Sequence, residues 1–151
     1  MFREEKFFLS NFYPCQIVLD GICFPTSEHL YQYLKAGNAE SRQLVLAQQT
    51  PSDAKKITAS PDFTARPDWQ AVKLSQMEFV LRQKFSQPEL LDLLLATGDM
   101  ELVEDNDWDD TFWGVCNGVG ENNLGKLLMK IRTEAQSHFK NHTQNPPSVL
   151  S

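Results

Sequence analysis

The stretch from Asp68 to Phe85 places apolar residues at Trp69, Val72, Leu74, Met77, Val80 and Leu81. That spacing follows the turn of an α-helix and not the alternation of a strand, so the chain has to build around a long helix with one buried face. The spacing predicts a helix over 68–85, the longest core helix of the chain. The C-terminal part of the chain has the same helical character. Ser86-Gln87-Pro88-Glu89 has the spacing of a capping box and precedes Leu90, Leu91, Leu93, Leu94 and Leu95, with Gly98 as the stop. A last helix is predicted from Asn122 or Asn123 to the region of Gln136, with Leu124, Leu127, Leu128 and Ile131 on one face.

The start of the chain differs. Asp20-Gly21 lies between Ile17-Val18-Leu19 and Ile22-Cys23-Phe24, a two-residue hairpin signal inside a segment rich in β-branched and aromatic residues. Pro25 with Thr26 or Ser27 then opens a helix that ends near Ala36 at Gly37-Asn38, and a further helix is expected from Ala39 to Gln48. Thr50-Pro51-Ser52-Asp53 supplies an N-cap, a proline in the first turn and an acidic third position for another short helix. Thr58 to Pro67 reads as a loop. The architecture is therefore mostly helical with a small β element.

At 151 residues the chain has the length of one domain, and no internal repeat divides it. A net charge of -6 argues against a broad, sequence-independent grip on nucleic acid, because such a grip needs clustered Lys and Arg on phosphates. Cys15, Cys23 and Cys116 are odd in number and make no C-x-x-C spacing, which points to neither a disulfide framework nor a zinc knuckle. A reducing cytoplasm fits. Phe2-Arg3-Glu4-Glu5-Lys6 has no apolar signal region, and the apolar run from Leu90 to Ala96 is broken by Asp92, so a soluble, unexported protein with no membrane partner is expected. The predicted division is a domain over 1–135 and a polar, flexible tail over 136–151.

Two places pair carboxylates with large aromatics. On the helix opening at Ser27, Glu28, Tyr31, Gln32 and Lys35 fall on one face at i, i+3, i+4 and i+7. Glu28 could equally do no more than complement the helix N-terminus. The second place is Trp108-Asp109-Asp110-Thr111-Phe112-Trp113-Gly114, which comes after an acidic run whose Asp105, Asp107 and Asp109 alternate like a calcium loop. That register offers Asp110 and Cys116 where an EF-hand needs Gly and Glu, so the run reads as a solvated loop with Asp110 as the exception. Trp69, Trp108 and Trp113 can be plain core residues. Two of them bracket an Asp-Asp pair, however, and a buried charge needs partners, which favours a pocket wall. A carboxylate beside an aromatic shelf suits a flat base and a positive charge forming on an attached sugar.

Other chemistries fit less well. Gly120 to Lys126 contains G-x-x-x-x-G-K, but Leu127 stands where a P-loop needs Ser or Thr, and Gly125 falls within a helical pattern. The turn either serves a phosphate or permits a tight bend. His29, His138 and His142 are too scattered for a metal cage, and neither G-x-S-x-G nor H-E-x-x-H occurs. No metal and no cofactor are implied.

The residues also resemble the NADAR or YbiA-like family. Leu9-Ser10-Asn11-Phe12-Tyr13-Pro14, Asp20-Gly21, Pro25-Thr26-Ser27-Glu28-His29, Tyr31-Gln32 and Lys35-Ala36 are similar to its opening signature. Ala54-Lys55 after Thr50-Pro51, Arg66 with Asp68-Trp69, Lys84-Phe85, Ala96-Thr97-Gly98-Asp99, Trp108, Asp110 with Phe112-Trp113-Gly114, and Gly120 with Asn122, Leu124-Gly125-Lys126-Leu127-Leu128-Met129 and Arg132 continue it. The resemblance implies a mainly α (α+β), single-domain orthogonal helical array with a small N-terminal β-hairpin. It implies cleavage of the bond between ribose and a base without a metal, as in the family's N-glycosidases for early riboflavin-biosynthesis intermediates. Glu28 matches the family's catalytic Glu, and Trp69 and Asp110 match active-site positions; Asn11, Lys35, Trp108, Trp113 and Asn122 match motif positions assigned to substrate binding. The partner implied is a small ribosylated base or nucleotide. Removal of ADP-ribose from a modified nucleobase and a silent ADP-ribose- or nucleotide-binding module are the alternatives. Val115-Cys116-Asn117 and Val119 depart from the Gly-rich turn often seen in the family, which bears on substrate choice.

Overall fold

The computed structural model describes residues 2–144, with side chains through 141. Residues up to Leu90 and residues from Leu91 onward form two compact units. A 3-10 helix over Glu4–Leu9 begins the first unit and leads to strands β1 (Pro14–Leu19) and β2 (Ile22–Thr26). The strands pair antiparallel, closing at Leu19 and Ile22. Asp20 and Gly21 have φ of 50° and 77°, the left-handed pair that a two-residue type I′ turn requires.

Helices α1 (Ser27–Lys35), α2 (Ala39–Leu46), α3 (Pro51–Ile57) and α4 (Trp69–Lys84) come next. Each of the first three starts on a side-chain cap. Thr26 Oγ1 accepts from His29 N at 3.2 Å, Asn38 Oδ1 from Ser41 N at 2.8 Å and Thr50 Oγ1 from Asp53 N at 3.0 Å, satisfying donors that a helix start leaves open. α1 packs against α2, α3, α4 and β2. Ala36, Val45, Ala54 and Phe63 form one buried cluster, with Tyr33, Leu44, Ile57 and Ala65 packed on it.

The capping box expected at Ser86 does not form. Ser86 Oγ donates back to Gln83 O at 2.7 Å, and helix α5 (Pro88–Ala96) begins at Pro88, so the serine finishes α4 and leaves proline to start the next helix. Gly98, at φ 62°, is the stop predicted after α5.

In the second unit, β3 (Asp105–Asn106) and β4 (Val115–Cys116) pair in parallel. They are too short to leave a sequence signal. Helix α6 (Asn123–Gln144) has 22 residues against 16 in α4, so the expectation that the 68–85 helix is the longest is corrected. It also continues past Gln136 into the segment expected to be flexible. Leu124, Leu127, Leu128 and Ile131 are buried on it as expected, and Gln136 Nε2 donates to Gly98 O at 3.0 Å. Once that face is packed, extension adds one backbone hydrogen bond per polar residue at small cost. The tail beyond Gln144 lies outside the described residues. The fold is mainly α with a small N-terminal β-hairpin. No helix among the described residues is long and apolar enough to cross a membrane.

One buried cation stands apart. Lys84 has no exposed surface, and its ammonium donates to Ser10 O at 2.8 Å, with the rings of Tyr13 and Phe85 centred 5.7 and 5.3 Å away. Burial pulls its pKa from the ordinary 10.5 to about 8, a shift that Cys15 partly opposes. Between those two values the unfolded chain binds more protons than the folded one, so this group makes stability rise with pH there, by at most about 1.4 kcal/mol per pH unit. The Cys15 thiol, raised by its own burial, pulls the other way. Urea midpoints at pH 7.5 and 9.5 should therefore show a more positive pH slope in wild type than in Lys84→Met. Equal slopes would mean that Lys84 keeps an ordinary pKa.

Candidate active site

The first turn of α1 holds the carboxylate of interest. Glu28 is 7% exposed, so it lies neither on open surface nor in bulk solvent. Its backbone N–H donates to Asn11 O at 3.0 Å, while Ser27 Oγ donates to Asn11 Oδ1 at 2.9 Å. Asn11 Nδ2 in turn contacts Met77 Sδ of α4 at 3.4 Å. The loop before β1 is thus tied to the helix start through one asparagine. One turn on, Gln32 Nε2 donates to Glu28 Oε1 at 2.8 Å.

Lys35, at the last residue of α1, is half-buried. Burial lowers its pKa, Glu28 opposes that shift with its negative charge, and Lys73 adds to it by repulsion. Glu28 and Lys35 therefore sense each other along the face that the sequence indicated. Lys35 O accepts from Arg66 N at 2.9 Å, and Gly37 N donates to Thr64 O at 2.8 Å. A Cβ on Gly37 would meet the backbone of Ala65 and Arg66 at 3.0 Å, a tight contact that a larger residue could make only if that backbone gave way. Arg66 clamps Asp68 with two bonds of 2.7 and 2.9 Å, and Trp69 N donates to Arg66 O at 3.1 Å. This brings the Trp69 ring to Tyr31, centroids 5.1 Å apart and tilted by 56°. Asn11, Glu28, Lys35 and Trp69 all belong to the first unit, and these bonds and ring contacts connect each of them to α1.

Trp108, Asp110, Trp113 and Asn122 belong to the second unit. Asp110 Oδ1 accepts from Phe112 N at 3.2 Å and Trp113 N at 2.9 Å. Asn106 brackets the same turn, accepting from Asp110 N at 3.0 Å and donating to Asp110 O at 2.8 Å. Asp110 is thus half-buried and shaped by its loop. Trp113 stacks edge-on with Phe112 at 4.7 Å, whereas Trp108 is 43% exposed. Asn122, in the left-handed region at φ 54°, accepts from Glu104 N at 2.9 Å and donates to Leu102 O at 2.9 Å. Its side chain is taken up in joining the start of α6 to 102–104. Gly125 lies inside α6, where a Cβ would collide with Leu102 O and the Asn122 side chain. Tight approach explains that glycine. Asp105, Asp107 and Asp109 are exposed, and no group of three or more His, Cys, Asp or Glu side chains among the described residues is arranged to hold a metal ion.

The sequence puts Gln32 on the Glu28 face without assigning it to the site. The available signal is its i+4 spacing from a carboxylate, where a glutamine amide can reach back. His29 is structural: Thr26 Oγ1 lies 2.7 Å from Nδ1, and Nε2 lies 3.0 Å from Gln48 O. A carbonyl can only accept, so the proton sits on Nε2 and the threonine hydroxyl donates to Nδ1.

The NADAR domain model matches residues 1–136. The chain belongs to the NADAR family. A riboflavin biosynthesis protein of Vibrio vulnificus is 40% identical over 137 residues, 89% of this chain, which spans only 37% of that relative's length. An N-glycosidase YbiA of Shigella boydii is 39% identical over 127 residues, covering 83% of this chain and 79% of its own. The solution NMR structure of the Escherichia coli protein YbiA superimposes with a TM-score of 0.81 at 33% identity, covering 94% of this chain and 85% of that one. That likeness agrees with the mainly helical NADAR fold expected from the motifs.

The cap that carries Glu28 should be sensitive to acid. Burial lowers the His29 pKa, so the folded state favours neutral imidazole, and both ring nitrogens are already committed in that form. His29 contributes fully above the unfolded pKa of about 6.5, and its contribution falls as pH drops below that value. Melting temperature should fall more between pH 7 and 5 in wild type than in His29→Gln. Parallel curves for the two proteins would refute this.

Proposed function

We propose that this chain is an N-glycosidase that hydrolyses the bond between a ribose phosphate and a base, with Glu28 as the group on which catalysis turns. The observation that carries the reading is a buried carboxylate at a helix start, held by Gln32, on the same helix as a tyrosine whose ring meets the Trp69 indole. Family membership and relatives named N-glycosidase support it. The substrate proposed is a phosphoribosylamino-pyrimidine of riboflavin biosynthesis, a choice supported by the name of the Vibrio relative. The working domain is residues 1–135.

As the C1′–N bond breaks, its electron pair leaves with the base and C1′ gains oxocarbenium character. Glu28 offsets that charge and orients the water whose oxygen bonds C1′; one water proton ends on the departing nitrogen. Trp69 stacks on the base or sugar, Asn11 fixes the helix start that carries Glu28, and Lys35 meets the 5′-phosphate. Family resemblance assigns Asp110 to ribose hydroxyls or water, and Trp108 and Trp113 to substrate contacts; Asn122, matched to a motif position, has its amide committed to Glu104 N and Leu102 O and holds the start of α6 instead.

Glu28→Gln keeps shape and removes charge. It should lower turnover of the phosphoribosylamino-pyrimidine by about 100-fold or more, with the melting temperature little changed. Asp110→Asn is an independent arm and should lower turnover by a smaller factor. Wild-type rates in Glu28→Gln would end the assignment. Release of ADP-ribose from an ADP-ribosylated nucleobase, with the pyrimidine untouched, would move the substrate to the alternative class. Tight nucleotide binding with no product from either would make the chain a binding module.

A further inference from the structure

Gln32 is 5% exposed, and its two polar atoms have different fates. Nε2 donates to Glu28 Oε1 at 2.8 Å, whereas Oε1 is buried with no hydrogen-bond partner. Rotating the amide would not relieve this, because it would set an oxygen against the carboxylate and lose a charge-assisted bond. The orientation is fixed by Glu28. A buried acceptor left unmatched is destabilising, and such a group beside the candidate carboxylate points to a donor that arrives with the ligand.

The donor can be narrowed by chemistry. Gln32 Oε1 shares one planar amide with the nitrogen that holds Glu28, so it lies close to the carboxylate assigned to C1′. A phosphate dianion and the ribose ring oxygen have no proton to give. An N–H on the departing base is a donor, but an acceptor there would enrich the nitrogen in electrons before it has left. The neighbouring 2′-hydroxyl has the opposite logic: it becomes a better donor as the adjacent carbon turns cationic, so a bond to it strengthens along the reaction.

We propose that Gln32 accepts a hydrogen bond from the ribose 2′-hydroxyl and thereby selects ribosyl over 2′-deoxyribosyl substrates. This rests on the reading of Glu28 as the group facing C1′. Gln32 acts in two ways, through its nitrogen on the carboxylate and through its oxygen on the sugar, and only the second creates a preference between sugars.

The test compares the phosphoribosylamino-pyrimidine with its 2′-deoxy counterpart in wild type and Gln32→Met. Wild type should favour the ribosyl substrate by about tenfold or more in kcat/KM, the scale of one hydrogen bond with a penalty for leaving it unmade. In Gln32→Met the two substrates should come within about threefold of each other. A purely structural role would slow both equally and leave the ratio intact, which overturns the proposal. So does a wild type that treats the sugars alike. If Gln32→Met fails to fold, Gln32→Asn, with its amide withdrawn by one methylene, is read for the same ratio. Ribose 5-phosphate and 2-deoxyribose 5-phosphate, titrated by NMR, give the preference without turnover; equal binding, or none, counts against Gln32. Loss of activity in Glu28→Gln combined with indifference to the 2′-hydroxyl would leave the glycosidase reading standing and remove this one.

Discussion

The bond pair between Asn11 and the start of α1 is the constraint on which the first unit depends. Asn11, sixteen positions before Ser27, accepts the Glu28 N–H at its carbonyl, closing one donor that a helix start leaves open, and accepts the Ser27 hydroxyl at Oδ1. Thr26 caps the next donor from within the chain. With these bonds made, Glu28 has little freedom at its backbone, and its carboxylate is set by the rotamer that Gln32 favours. In the role proposed for Glu28, a side chain fixed beforehand has the advantage that no reorganisation is needed as the charge forms.

Lys84 supports the same loop from below. It lies at the far end of α4 from Trp69 and gives its ammonium to Ser10 O, next to Asn11 in the chain. Burying an ammonium costs several kcal/mol, more than a leucine or methionine would cost there. What the charge adds is direction: a strong donor aimed at one carbonyl fixes a loop that apolar packing alone would leave several ways to settle. One helix therefore contributes at both ends, an indole toward Tyr31 and an ammonium toward the Asn11 loop.

Legibility in the sequence tracks the range of the interactions. Asp20-Gly21, Thr26, Asn38 and Thr50 act within four residues, and their turn or cap is readable or forms where helix starts are expected. Ser86 misleads because a serine between two helices can close one or open the other, and the choice is made by Pro88, which needs no cap on its missing N–H. The end of α6 is unreadable because polar helical residues carry no period. For the site, Glu28, Tyr31, Gln32 and Lys35 share a face as their spacing requires. What no spacing could reveal is which oxygen or nitrogen of Gln32 would be left over, or that Asn122 would spend its amide on Leu102 and Glu104. Those depend on backbone brought together from far along the chain.

The surroundings of Glu28 also bear on which role it can fill. A general acid has to hold a proton until the leaving group needs it, and an enzyme arranges this with an apolar wall and no donors nearby. Glu28 has the burial but not the isolation: it sits in the first turn of a helix, where the dipole favours negative charge, it receives the Gln32 N–H, and Lys35 lies two turns along the same face. Each of these interactions is strongest with an anion. Such surroundings suit the proposed role of facing a carbon that becomes positive better than that of a proton donor. These surroundings are consistent with the proposal that Glu28 stabilises charge and positions water while the attacking water supplies the proton for the base.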